Sequence, residues 1–185
     1  MKLLILLWLQ FALAATAADW HSDDGRFSLQ IPDGPNWRRL APHPPVQLSI
    51  KRADKTAEII YAQFPPQTNK TTLDLDFVNG FDKGFWPKGK SHKATGEFTE
   101  LKGKYIYRTT GDMTIKDVIY KKTAIVWVEN DQVALLSLMQ RETDPLSDPD
   151  IKACLDSLKF TAPPATTPPA PDRSPPAKAP ADSHP

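Results

Sequence analysis

Residues 118–140, VIYKKTAIVWVENDQVALLSLMQ, carry the strongest structural signal in this chain. Two nearly continuous apolar runs, Ile125–Val128 and Val133–Leu136, flank the turn-forming residues Glu129-Asn130-Asp131. Apolar runs without alternation are typical of central strands that are covered on both faces. The segment therefore predicts a hairpin of two central strands, Val118–Val128 and Gln132–Gln140, with other parts of the protein packed on each side.

Further strands are predicted on both sides of this hairpin in the chain. Phe27, Leu29 and Ile31 alternate with polar residues, a period of two that gives a strand one buried face. The turn at residues 32–35 would let the next strand return along this one. The remaining predicted strands are Trp37–Leu40, Val46–Ile50, Glu58–Phe64, Glu97–Leu101 and Lys104–Thr110, with hairpin tips at Asp54-Lys55 and Lys102-Gly103.

Two helices are predicted, one between the two groups of strands and one after them. Thr71 or Thr72 can cap the first, Gly84 can end it, and its apolar stripe should lie on a sheet: Leu73, Phe77, Val78, Phe81 and Phe85. The second has Asp148 as N-cap, Pro149 at the first helical position and one apolar face: Ile151, Cys154, Leu155 and Leu158. Hairpins with separated helices predict an α+β fold with a central antiparallel sheet flanked by helices.

The start and the end of this region resemble PsbP-like domains. The opening Phe27-Ser28-Leu29-Gln30-Ile31-Pro32, with Trp37 five residues later, is similar to their start, and the last helix followed by Lys159-Phe160 is similar to their end. The resemblance covers about Trp20 to Phe160. It implies a PsbP-like α/β/α sandwich and a protein that acts by binding other proteins rather than by catalysis. No residue matches a cofactor or manganese-related site, and the absence of plastid features argues against a photosystem II component.

The two ends of the chain differ from its middle in composition. Residues 1–18 combine Lys2, an apolar run and the small residues Ala15-Thr16-Ala17-Ala18, which predicts a signal peptide cleaved after Ala17 or Ala18. The run is too short for a membrane span, so a periplasmic or secreted protein with no stable span after cleavage is expected. Residues 161–185 hold nine Pro and six Ala without a large apolar side chain, which predicts a disordered tail. Residues 19–160 are predicted to form one globular domain.

Charge, cysteine content and motifs exclude several classes of function. Residues 19–160 carry 20 basic and 20 acidic side chains, a balance poorly suited to nucleic-acid binding. Cys154 is the single cysteine, which excludes an intrachain disulfide and a cysteine-clustered metal site, and its apolar neighbours predict a buried thiol. Paired carboxylates such as Asp148 and Asp150 lie at helix caps or turns, and no nucleotide-binding, nucleophile or zinc motif occurs. No catalytic, cofactor-binding or metal-ligating residue is predicted, and we expect a protein that is not an enzyme.

The segment KGFWPKGKSHK at residues 83–93 is the candidate partner-binding site. It places four lysines around an aromatic pair within a neutral domain, and the candidate residues are Trp86, Lys83, Lys88, Lys90, His92 and Lys93. With Trp86 as anchor, the segment could bind an anionic lipid headgroup, a wall polymer or an acidic protein face. The alternative is a solvated loop whose Phe85 and Trp86 fold back under the first helix.

These features together predict an exported, non-enzymatic binding or accessory module that engages a protein or an anionic envelope component. Two other functions stay open. A small exported hydrolase with a site assembled in space would need a pocket that holds His43 or His92 beside a carboxylate and a hydroxyl. A transport or chaperone adaptor would need an exposed apolar groove.

Overall fold

The computed structural model describes residues 17–66, 71–86, 94–129 and 131–161. The elements in chain order are β1 (Ala17–His21), β2 (Phe27–Pro32), β3 (Trp37–Arg39), β4 (Val46–Arg52), β5 (Ala57–Phe64), α1 (Leu75–Phe85), β6 (Thr95–Leu101), β7 (Lys104–Ile115), β8 (Val118–Glu129), β9 (Gln132–Arg141), a 3-10 turn (Pro145–Ser147), α2 (Pro149–Asp156) and β10 (Lys159–Phe160). Seven strands form one antiparallel sheet in the order β3-β4-β5-β9-β8-β7-β6, and three form a second in the order β1-β2-β10.

The predicted central hairpin is confirmed and lies inside the large sheet. Strands β8 and β9 pair along their whole length, and β5 and β7 flank them. Successive side chains of a strand point to opposite faces, so both faces of these strands contribute to a core. Ile125 and Trp127 belong to the core under the small sheet and α2, whereas Ala124 and Val126 belong to the core under α1. The protein is therefore an α+β fold with a central antiparallel sheet flanked by helices, as predicted.

Both helices begin at aspartate caps. Asp148 caps α2 as predicted, since its carboxylate accepts hydrogen bonds from the amides of Asp150 and Ile151. The predicted cap of α1 at Thr71 or Thr72 is wrong, because Asp74 caps this helix by accepting from the amide of Phe77 at 2.9 Å. The Thr72 hydroxyl instead donates to Asp74. The predicted apolar stripe of α1 does lie on the sheet.

Strand pairing differs from the prediction at the start of the domain. Trp37–Arg39 does not return along Phe27–Pro32 but pairs with β4 at the edge of the large sheet. β2 instead lies between β1 and β10 in the small sheet. The buried side chains of β2 pack against the core that the large sheet and α2 share. The strands β1 and β10 were not predicted as partners of β2, because their pairing brings together the two ends of the domain.

The hairpin of β7 and β8 is longer than predicted. The sequence indicates an end of β7 at Thr110, yet β7 continues to Ile115 and turns at Lys116-Asp117, both with positive φ. β6 pairs with β7 only up to Thr110. The end of this hairpin therefore extends past the edge strand and forms part of the surfaces described below.

The ends of the predicted domain are described in part. Ala17 and Ala18 pair with Pro32 and Ile31 in β1, and the amide of Thr161 donates to the carbonyl of Arg26. The rest of the predicted signal peptide and of the predicted tail lies outside the described residues. Among the described helices, none has the length and apolar character that crossing a bilayer requires.

Candidate functional site

The structure describes two of the six predicted site residues. Lys83 lies exposed in the last turn of α1. Trp86 follows the helix as its C-cap residue and is buried, with 6% of its surface exposed. The aromatic side chain is therefore not available as the predicted surface anchor, and Trp86 packs inward as in the alternative considered above. Lys88, Lys90, His92 and Lys93 lie outside the described residues.

A chain of polar contacts holds the end of α1 on the sheet. The indole N–H of Trp86 donates to the buried hydroxyl of Thr109 at 3.2 Å. Tyr107, two residues earlier on the same face of β7, donates its hydroxyl hydrogen to the carboxylate of Asp82 in α1. Burial raises the pKa of Tyr107 to about 12, and the bond to Asp82 acts in the same direction. The last turn of the helix is thereby fixed over β7.

Gly111 of β7 lies against the two described residues that border segment 87–93. A Cβ atom at this residue would lie 3.1 Å from the Trp86 ring and 3.1 Å from the Cα atom of Ala94. Trp86 precedes the segment and Ala94 follows it, so these two residues meet at this glycine. A side chain at Gly111 would force one of these neighbours to shift by a few tenths of an ångström.

Lys122 adds a partly buried positive charge beside this point. Its ammonium lies 3.8 Å from the centre of the Phe85 ring, a cation–π contact at the end of α1. Burial lowers the pKa of Lys122 to about 8 from its ordinary 10.5, with a smaller opposing effect of Glu58. Glu58 forms its ion pair with Lys51, at 3.8 Å. Within the described ranges, Lys122 has no ion-pair partner of its own.

The opposite face of the same strands carries a polar groove. Two overlapping hollows of about 340 and 380 Å³ share Thr95, Thr110, Thr123 and Asp144. The three threonines come from β6, β7 and β8 and face one another directly in the register of the sheet. The hydroxyls of Thr95 and Thr110 are 3.2 Å apart. We call this set the threonine groove.

Charged residues border the threonine groove in pairs. On one side Arg108 binds Glu97 across β7 and β6, and on the other Lys121 binds Asp112 across β8 and β7 at 3.2 Å. The wall is the segment that leads into the 3-10 turn, with Leu146 also packed against the core. The groove is polar and not the apolar groove that a chaperone adaptor would need.

The cysteine and the two described histidines lie outside the threonine groove. Cys154 is buried as predicted, with 1% of its surface exposed, and burial raises its pKa to about 12. His21 and His43 are exposed, and neither lines the threonine groove. Across residues 17–66, 71–86, 94–129 and 131–161, no group of three or more His, Cys, Asp and Glu residues could hold a metal ion.

The sequence did not indicate the threonine groove. Thr95, Thr110 and Thr123 lie in three different strands, and they form a row only once the register of two hairpins is known. A signal was present in the alternation of each strand, which places every second residue on one face. The end of β7 was predicted too early, so the continuation of that face to Asp112 was missed.

Comparison with solved structures finds distant similarity to several proteins. A protein from Bacteroides thetaiotaomicron is 8% identical over 78% of this chain, with a TM-score of 0.55, and the chain spans 48% of its length. A mutant of the protein Mog1 is 10% identical over 78% of this chain and 96% of its own, with a TM-score of 0.50. LpqN, described as involved in cell envelope biogenesis of Mycobacterium tuberculosis, is 13% identical over 80% of this chain and 91% of its own, with a TM-score of 0.49. No protein-family model and no curated protein matches the chain.

Proposed function

We propose that this chain is an exported, PsbP-like binding module that is not an enzyme and that binds an acidic face of a protein partner. The binding surface is the basic surface, which we define as Lys83, Lys122 and the lysines of segment 87–93. The observation that carries the proposal is the meeting of Trp86 and Ala94 at Gly111. The two residues on either side of segment 87–93 therefore lie together next to Lys122, which faces Gly111 in the register of the sheet.

The charge of Lys122 supports an anionic partner. Its pKa is lowered because burial removes water from the ammonium and no carboxylate of the described residues pairs with it. The charged form of such a partly desolvated lysine is stabilised when a negative charge approaches. The exposed Lys83 lies near it on the last turn of α1. A carboxylate of a partner would therefore be stabilised at this corner of the domain.

The burial of Trp86 favours a protein partner over a lipid surface. Peripheral proteins commonly insert aromatic side chains into the interface of a bilayer. Trp86 is 6% exposed and its indole N–H is already bonded to Thr109, so it cannot insert. Binding at the basic surface would then rest on charge, which an acidic protein face supplies.

Cys154 and the capping aspartates are placed as structural groups. The buried Cys154 thiol stays protonated at neutral pH because its pKa is raised. The carboxylates of Asp74 and Asp148 accept hydrogen bonds from backbone amides as helix caps. The exported hydrolase considered from the sequence would need His43 or His92 in a pocket. His43 is exposed and does not line the threonine groove, and His92 lies outside the described residues.

Export is tested by the start of the mature chain. Cleavage after Ala17 or Ala18 would leave β1 with Trp20, whose side chain is buried in the core. We expect mass spectrometry of the protein recovered outside the cytoplasm to show a chain that begins at Ala18 or Asp19. A chain that retains Met1 outside the cytoplasm, or one confined to the cytoplasm, would contradict export.

The partner-binding proposal is tested with fluorescently labelled polyglutamate as an acidic probe. A variant with Lys83, Lys88, Lys90 and Lys93 changed to Gln removes four charges of the basic surface. Four ion-pair contacts with the probe, at roughly 0.5 kcal/mol each, sum to about 2 kcal/mol, or about thirtyfold weaker binding. We also expect the binding of the unchanged protein to weaken as salt is added.

A matched control removes the same charge elsewhere. The side chains of Lys102, Lys116, Lys152 and Lys159 are exposed and lie on other elements, so their change to Gln should leave binding unchanged. Equal loss in both variants would refute a localised basic surface. Binding to vesicles that contain phosphatidylglycerol without binding to polyglutamate would refute the protein partner and indicate a lipid surface instead.

A further inference from the structure

We propose that the free edge of β6 binds an extended, arginine-containing segment of a partner protein as an added strand, independently of the basic surface. β6 is the last strand of the seven-stranded sheet, and within the described residues it pairs with β7 alone. A strand at the edge of a sheet presents unpaired backbone groups to which another chain can bond. The opposite end of this sheet, β3, offers only three residues.

The turn between β6 and β7 indicates which backbone groups of β6 are free. Lys102 and Gly103 form a two-residue turn in which both have positive φ, the geometry of a type I′ hairpin. The flanking residues Leu101 and Lys104 then exchange both of their backbone hydrogen bonds, and bonded pairs alternate along the two strands. Every second residue of β6, counted from Leu101, therefore bonds to β7. The residues between them turn their N–H and C=O groups toward the open edge: Gly96, Phe98 and Glu100.

β6 lacks the features that commonly protect an edge strand. Natural edges are often short, interrupted by a bulge, or marked by lysine or proline. β6 has seven residues, pairs with β7 without a shift of register, and contains no lysine, arginine or proline. The residues with outward backbone groups keep accessible surface, since Gly96 and Glu100 are exposed and Phe98 is half-buried. An extended segment can therefore bond to all three.

The side chains at this edge favour a segment that carries arginine. Glu100 is exposed and has no ion-pair partner within the described residues, whereas Glu97 is bound by Arg108. On the face that carries Glu100, the Phe98 ring stacks on the ring of Tyr105, with the two centroids 5.5 Å apart. An arginine opposite Phe98 can stack its planar guanidinium on this ring and donate N–H groups to Glu100.

A second copy of the chain is a poorer occupant of this edge. Pairing of two β6 strands would add two more carboxylates and no cation, because the only charged residues of the strand are Glu97 and Glu100. A copy of β6 therefore lacks the positive charge that Glu100 attracts. The argument favours a partner segment with arginine at alternate positions, whose backbone bonds to the edge while its guanidinium groups face Phe98 and Glu100.

The test uses a short synthetic peptide of alternating valine and arginine, with blocked ends and a fluorescent label. Its affinity for the unchanged protein is measured by fluorescence anisotropy, and amide hydrogen exchange is followed by heteronuclear NMR. We expect the amides of Gly96, Phe98 and Glu100 to exchange more slowly when the peptide is bound. The amides of Glu97 and Thr99 are bonded to β7 in both states, so their exchange should change less and serves as an internal control.

Two kinds of matched peptide separate the charge from the backbone. In one, citrulline replaces arginine, which keeps the planar shape and removes the charge, and we expect about tenfold weaker binding. In the other, every second amide is methylated, in one phase or in the alternate phase. Only one set of amides of an added strand faces β6, so we expect one phase to abolish binding and the other to retain it. Added salt should weaken binding of the arginine peptide toward that of the citrulline peptide.

Variants of Glu100 make the same separation in the protein. Glu100→Pro removes an outward N–H, and proline is tolerated in an edge strand where the N–H faces solvent. We expect this variant to lose about tenfold or more of its affinity for the arginine peptide. Glu100→Gln keeps the backbone and removes the charge, so it should bind a few-fold more weakly, with the difference lost at high salt. Asp156→Asn removes an exposed carboxylate of α2 and should bind as the unchanged protein does.

Several outcomes would overturn the proposal. These are the absence of binding to the arginine peptide, equal binding of the citrulline peptide, retained binding in both phases of methylation, and slowed exchange only at amides outside β6. A chain that forms dimers without peptide in analytical ultracentrifugation, and monomers after Glu100→Pro, would identify a second copy as the occupant instead. If Glu100→Pro does not fold, the two methylated peptides decide the question on the unchanged protein. Failure of the basic surface to bind polyglutamate would leave these results untouched, so the two proposals fail separately.

Discussion

Replacement of Trp86 by Phe separates a structural role of this residue from a role as a surface anchor. The side chain is buried and its indole N–H bonds to Thr109 at 3.2 Å. Phenylalanine loses this hydrogen bond, at about 1 kcal/mol, and leaves a small cavity where the larger ring packed against Gly111. We therefore expect the free energy of unfolding to fall by about 2 kcal/mol, while the folded variant binds polyglutamate as the unchanged protein does.

The hydrogen bond itself is measured by a double-mutant cycle with Thr109→Val. The single valine variant leaves the buried indole N–H without an acceptor, which costs roughly 1–3 kcal/mol. The valine also changes the surroundings of the neighbouring Tyr107, and the cycle cancels this effect because it is present in both arms that carry valine. When both partners are replaced, neither polar group is left unpaired, so the double variant should lose less stability than the sum of the single variants.

The assay is urea unfolding followed by far-ultraviolet circular dichroism. Equal slopes of free energy against urea among the variants show that they unfold in the same way, so the midpoints can be compared. A Trp86→Phe variant that is as stable as the unchanged protein but no longer binds polyglutamate would refute the buried role. That result would restore the exposed anchor that the sequence predicts.

Three further predictions concern Gly96, Lys122 and Cys154. Gly96→Ala should lower the midpoint of urea unfolding, because a Cβ atom would overlap the Tyr107 ring and hydroxyl and break its bond to Asp82; an unchanged midpoint would contradict this close approach. Lys122→Gln should be more stable than the unchanged protein near neutral pH. Burial lowers the pKa of the Lys122 ammonium to about 8 in the folded protein, whereas it is 10.5 in the unfolded chain, so the charged lysine destabilises the folded state. Between pH 8 and pH 10.5 the unfolded lysine binds more protons than the folded one. The cost of the charged lysine to the free energy of folding is therefore complete below pH 8 and is lost as the pH rises through 10.5. A stability difference between the variant and the unchanged protein that grows with pH would contradict the lowered pKa of Lys122. Cys154 should react with a thiol reagent at neutral pH only after unfolding in urea, because its pKa is raised to about 12, and rapid reaction of the folded protein would show an accessible thiolate.

Local signals predicted the elements of this fold well. The turn at residues 129–131 and the capping Asp148 act within a few residues, so the sequence around them is sufficient to predict the hairpin and the start of α2. The cap of α1 was misplaced because several capping residues follow one another. Asp74 accepts from the helix, and Thr72 is bonded to Asp74.

Pairing between distant strands was beyond what the sequence could predict. Trp37–Arg39 is close to β2 in the chain, yet its partner is β4, and nothing local distinguishes the two. The small sheet joins β1 and β10 to β2, and so depends on residues far apart in the chain. Burial of Trp86 likewise depends on Gly111, which β7 brings beneath the end of α1.

The threonine groove and the basic surface draw on alternate residues of the same strands, and the strand period explains why both occur there. In the middle of the sheet, alternate residues of β8 such as Ile125 and Val126 enter the two cores. Toward the end of the hairpin the same alternation continues, but the residues become Thr123 and Lys122. One points into the threonine groove and the other lies over Phe85 beside the basic surface. A one-residue change of register between β7 and β8 would move each of these side chains to the other face of the sheet. The long, regular pairing of this hairpin therefore positions both surfaces.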